Sequence, residues 1–163
     1  MRVELTNEYY IARDYKGAAT SARQLLPYAL SYAHGYLCHV LGALKLYDES
    51  VAECSHALAL EGKKDWVPAY LREYHQNGYK SAMSFMARKY VDEILKRPQP
   101  DLWDLANAYV LAGMREEALR TLFQGLKTRN SGLLQVHVDP DFDSIRNEPR
   151  YAELVRQIGF PTE

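Results

Sequence analysis

Apolar positions recur every three to four residues along most of this chain, and the breaks between the recurrences are short. The clearest stretch runs from Ala106 to Leu119. Leu105 and Tyr109 lead up to Gly113, and Leu122 and Leu126 follow it, at the spacing one face of a helix requires. The small residues Ala106, Ala118 and Gly125 stand where two helix axes must come close. The pattern predicts a helix, a tight glycine turn and a second helix packed antiparallel on the first.

The arrangement repeats. Four strings open the second helix of a hairpin: Tyr15-Lys16-Gly17-Ala18, Tyr47-Asp48-Glu49-Ser50, Tyr79-Lys80-Ser81-Ala82 and Arg115-Glu116-Glu117-Ala118. They start 32, 32 and 36 residues apart, and the small fourth residue lets each second helix nest on the first. Hairpins are therefore predicted at 2–26, 28–61, 65–96 and 101–129. Pro27 and the Arg97-Pro98-Gln99-Pro100 run end the first and third, because proline donates no helical hydrogen bond. Gly62 reads as a C-terminal cap, and Asp65 and Asp101 as N-caps, with Pro68 in the first turn after Asp65. The third turn, Asn77-Gly78, is one residue shorter than the others. From 133 to 160 the character changes, ending in a helix at about 149–158 that Gly159 and Pro161 stop. Phe142, Ile145, Tyr151, Leu154 and Ile158 are suited to cover the apolar face of the last hairpin. Asp143 is expected to cap a short helix there.

Asn107-Ala108-Tyr109, Gly113 and Glu117-Ala118-Leu119, on a period close to the ~34 residues of that family, resemble a tetratricopeptide repeat. The D-P-D-F-D-x-I-R-x-x-P-R-Y tail, Asp139 to Tyr151, resembles the one that closes such arrays in bacterial signalling proteins. There the arrays often follow a winged-helix DNA-binding, protein-kinase or cyclase domain. The resemblance implies an all-α fold in one domain, 1–163: a right-handed superhelical stack of about four hairpins plus a C-terminal capping helix. It also implies a protein–protein interaction module of a bacterial regulatory system, binding a peptide or protein partner in its concave groove. Aligning the hairpins puts Asn7, His39, Arg72 and Asn107 at one equivalent place, which in this family faces the groove. His75, Gln76 and Trp103 are among its expected neighbours, with Gly42 and Val110. The full set of lysines with which chaperone-binding members clamp a carboxylate is not present. The competing reading is structural self-association as a homodimer, since an incomplete first hairpin leaves apolar surface for a second copy.

Charge and composition narrow the partners. The formal net charge is −1 and no long basic block exists, so a nucleic-acid partner is not expected. The longest apolar run, Tyr36 to Tyr47, contains His39 and Lys45 and falls well short of the ~20 residues that span a bilayer. The first ten residues have no apolar signal core, so no membrane association is expected and the cytoplasm is the expected location. Cys38 and Cys54 form no C-x-x-C pair and no disulfide framework, which fits a reducing compartment. Both are expected to be small buried apolar residues.

Candidate chemistry is sparse. Asp139, Asp141 and Asp143 resemble the start of an EF-hand loop, but Ser144 and Arg150 stand where that loop needs glycine and glutamate. His34 and Cys38 share a helix face, whereas Cys54 and His56 are two apart and point in different directions. No close pair has the usual zinc-ligand spacing, so neither a metal nor a cofactor is expected. There is no G-x-S-x-G, P-loop or H-E-x-x-H. Asp48-Glu49 and Glu116-Glu117 are solvated helix starts favoured by the dipole. An enzyme is not expected.

Overall fold

The computed structural model describes residues 2–159, which are largely helical and include no strand. The sequence reads as one continuous array, but the contacts gather into two compact units, Met1–Ala82 and Met83–Glu163. The N-terminal unit holds α1 (Arg2–Ile11), α2 (Tyr15–Leu25), α3 (Leu30–Ala43), α4 (Tyr47–Leu60), α5 (Val67–Asn77) and the start of α6 (Tyr79–Ile94). The C-terminal unit holds the rest of α6, then α7 (Leu102–Leu111), α8 (Arg115–Lys127) and α9 (Pro149–Ile158). Two short 3-10 helices, Ser131–Gln135 and Pro140–Ile145, link α8 to α9.

The four repeated strings open α2, α4, α6 and α8. Their fourth residues, Ala18, Ser50, Ala82 and Ala118, are all 0% exposed. A longer side chain at any of these places would hold two helices apart. Five helices stop in the same way. After α1, α3, α4, α7 and α8 the chain enters the left-handed region at Arg13, Lys45, Gly62, Gly113 and Arg129. The next amide then reaches back five residues, as from Lys63 N to the Leu58 carbonyl (2.8 Å) and from Met114 N to the Tyr109 carbonyl (2.8 Å). That pairing satisfies carbonyls the helix leaves open and reverses the chain in three residues. Between α5 and α6 the reversal is made by Gly78 alone, at φ +84° and ψ 178°.

Two caps depart from expectation. Asp65 does not cap α5: it sits inside a 3-10 turn, Lys64–Trp66, and the helix starts one turn later with Pro68 in its first turn. In the tail the cap is Asp139, whose carboxylate accepts from Asp141 N at 3.0 Å, while Asp143 accepts from Arg146 Nε at 2.6 Å. Proline is best placed just inside a helix start, so the cap falls on the residue before Pro140. Asp101 caps α7 as expected, accepting from Trp103 N and Asp104 N at 2.8 and 3.0 Å.

Each unit has its own core. In the first, Ala18, Ala19 and Ala22 of α2 meet Leu37, Val40 and Leu41 of α3. In the second, Ala106, Leu119 and Leu122 of the α7–α8 hairpin meet Phe142, Ile145, Tyr151 and Leu154 of the tail. The tail therefore covers the last hairpin, with Ile158 only partly buried at its edge.

The cysteine expectation needs correction. Cys38 and Cys54 are buried, but they are joined as a disulfide between α3 and α4, with Cα atoms 4.9 Å apart. The hairpin returns the chain over itself after 16 residues, which brings the pair within bridging range. The inference of a reducing compartment from unpaired cysteines falls with it. Among the described residues, no helix is long and apolar enough to cross a membrane.

Candidate functional site

The aligned row lies on the first helix of each hairpin: Asn7 on α1, His39 on α3, Arg72 on α5 and Asn107 on α7. Three of its members belong to the N-terminal unit and one to the C-terminal unit.

In the N-terminal unit the members differ in what they offer. Asn7 is half-buried, and its Oδ1 accepts a hydrogen bond from the Tyr36 hydroxyl at 2.8 Å. Tyr36 is held in turn by Tyr32, the ring centroids being 4.6 Å apart. Burial, and then the Tyr36 hydrogen bond, push the Tyr32 hydroxyl pKa well above its ordinary value. The Asn7 carbonyl is thus engaged inside the unit. Nothing in the sequence links Asn7 to Tyr36, which lies 29 residues away on another helix. His39 is half-buried.

The register of α5 is set by its buried side. Tyr70 is 0% exposed. Glu73 turns toward α6 and accepts from Ser81 Oγ (2.5 Å) and Asn77 Nδ2 (2.9 Å). Those two bonds, and the neighbouring charge of Arg72, hold the Glu73 carboxyl below its usual range. Arg72, His75 and Gln76 are exposed. They stand at i, i+3 and i+4, so they form one polar face on the helix surface. The His75 ring lies 5.5 Å from that of Tyr74.

In the C-terminal unit Trp103 is half-buried and committed to the cap. Its ring centroid is 4.9 Å from that of Phe142, and its indole covers Gly132 so closely that a side chain there would collide. One helical turn further on, Asn107 is half-buried among the buried Leu105, Ala106 and Ala108. Its Oδ1 is enclosed and has no hydrogen-bond partner. Two other expected neighbours are not open either: Val110 belongs to the core, and Tyr79 covers Gly42.

Comparison with family models, with curated proteins and with solved structures gives no match.

Proposed function

We propose that this chain is a tetratricopeptide-like scaffold that binds an extended peptide or protein segment, in a bacterial regulatory system of the kind its tail resembles. The observation that carries the reading is Asn107 Oδ1, an enclosed acceptor with no donor, midway along the first helix of the best-formed hairpin. Leaving such a group unpaired costs roughly 1–3 kcal/mol. Asn107 itself is half-buried, so turning its amide outward to meet a partner's backbone N–H removes that cost. Within the N-terminal unit, Arg72 separately offers a guanidinium fork on an exposed face of α5, suited to a carboxylate held by two bonds. A ligand with an acidic side chain or a free C-terminus suits Arg72 better than a basic one.

Selection from a displayed random-peptide library tests it. Enriched peptides should be acidic or carry a free C-terminal carboxylate. Asn107→Ala or Arg72→Ala should weaken them about tenfold while helicity is unchanged. Failure to enrich any sequence, or equal affinity for all three proteins, removes the reading.

The second reading, self-association, is favoured by exposed apolar side chains in the first two hairpins. Tyr28 is 78% exposed, and Leu5, Leu30 and Leu60 are each more than 40% exposed. Light scattering coupled to size exclusion separates the readings, since a scaffold for peptides runs as a monomer and an assembly unit as a dimer.

A further inference from the structure

We propose that His34, Glu53 and His56 form a binding site for a divalent transition-metal ion of the zinc class. His34 lies on α3, and Glu53 and His56 lie on α4. Each offers a ligand atom, and the three atoms lie within 4.8 Å of one another. His34 Nδ1 and Glu53 Oε2 are in direct hydrogen-bond contact. The two imidazoles meet edge to face, their centroids 5.1 Å apart.

The sequence brings them together in two steps. Glu53 and His56 are three apart on one helix, so they point to the same side. The α3–α4 hairpin then lays His34 against that side, and the Cys38–Cys54 bond, next to Glu53 and one turn from His34, fixes the two helices to each other. The expectation that Cys54 and His56 point apart holds: Cys54 is buried and bonded, and His56 is exposed. The donor missing from the sequence argument was Glu53.

The donor set selects the ion. Two imidazoles and one carboxylate suit zinc and its neighbours, whereas calcium and magnesium take mostly oxygen ligands. Zinc binds nitrogen and oxygen at about 2.0–2.2 Å, so the three side chains must close by small rotamer changes on a surface where His34 and Glu53 are only partly covered. With three protein ligands one position stays open. Beside the histidines lies a shallow hollow of about 390 Å³, lined by Leu30, His34, His56, Ala59, Leu60 and Lys64. A fourth ligand entering from that hollow would meet Lys64, which favours a water-derived or anionic one.

Titration of the oxidised full chain with Co²⁺ tests the site. The expected result is saturable binding of one ion per chain, with visible absorption bands of a four- or five-coordinate nitrogen–oxygen site that excess Zn²⁺ abolishes. Loss of an outer-shell partner alone weakens metal sites about 10–100-fold, so His56→Ala, which removes a ligand, should weaken binding at least about 100-fold. Glu53→Gln should weaken it at least about tenfold, and His137→Ala, at an exposed position of the tail, should not change it. Helicity of each variant is checked in parallel. No saturable binding by the wild-type chain overturns the proposal. So does binding that survives His56→Ala, or that follows His137 instead. Binding that appears only after reduction, with sulfur-to-cobalt charge-transfer bands, would assign the ion to the cysteines and overturn it as well.

Discussion

The hydroxyl end of Tyr79 fills the space that a side chain at Gly42 would need. The Tyr79 ring also stacks on Tyr47, with centroids 4.4 Å apart, and its oxygen lies 3.0 Å from Ser50 Oγ. Ser50 in turn donates to the Cys38 carbonyl at 2.6 Å. Tyr79 is thus fixed from three sides and cannot swing away cheaply. Gly42→Ala is expected to destabilise the protein by about 1–3 kcal/mol through overpacking, although alanine is the better helix former. Tyr79→Phe removes the nearest atom, so Gly42→Ala should cost less in that background. Chemical denaturation of the two single variants and the double variant measures the coupling. Additive losses would mean that the two residues do not compete for one space.

Gly78 provides a second, purely conformational test. It makes the whole turn between α5 and α6, at φ +84° and ψ 178°, and a side chain there would meet no atom within 4 Å. Only the backbone forbids another residue, in a region that is essentially reserved for glycine. Gly78→Ala is expected to cost about 1–3 kcal/mol on that ground alone. Gly35, inside α3, also has open space around it and carries no positive φ. Gly35→Ala should therefore stabilise by about 0.5–1 kcal/mol. Opposite signs for two glycines with equally empty surroundings would isolate the backbone effect.

Tyrosine burial sets the alkaline limit. Burial is the main cause that raises the hydroxyl pKa values of Tyr32, Tyr70 and Tyr151. In the unfolded chain these groups ionise near pH 10. The folded state holds their protons more tightly, so their contribution is fully present below about pH 10 and is lost as pH rises toward the folded values. Unfolding free energy should fall steeply above pH 10. Tyr70→Phe, which removes one such proton, should flatten that fall when denaturation is followed from pH 8 to 12.

The hairpins were legible because they rest on local rules. The small fourth residue at Ala18, Ser50, Ala82 and Ala118 is a demand of close helix contact, and the sequence states it four times. Asp101 could be recognised because an N-cap acts on amides two and three residues away. Asp65 misled because a 3-10 turn used it first, and no residue type signals that choice. The His34–Glu53–His56 cluster and the Cys38–Cys54 bond depend on how α3 and α4 lie side by side. His34 and His56 stood out in the sequence as imidazoles on successive helices, but Glu53, the carboxylate that completes the cluster, did not. Trp103 reads as a groove residue until Phe142 and Gly132, far along the chain, are placed against it.

Those same contacts make the tail the part of the C-terminal unit whose loss should cost most. Phe142 and Ile145 are 0% exposed and close the core built by Ala106, Leu119 and Leu122. Arg146 holds the tail's path by donating to the carbonyls of His137 and Asp139, and the Tyr151 hydroxyl donates to the Val136 carbonyl at 2.7 Å. Phe142→Ala is expected to cost about 3–5 kcal/mol, as a buried aromatic does when truncated. Ile158→Ala, at a partly buried edge, should cost much less. Removing the chain from Val136 onward strips every one of these groups and bares the α7–α8 seam, so the shortened protein should melt well below the full one and bind hydrophobic dye. If it melts at the same temperature, α7 and α8 are stable without a cover, and Phe142 and its neighbours serve some purpose other than closing the core.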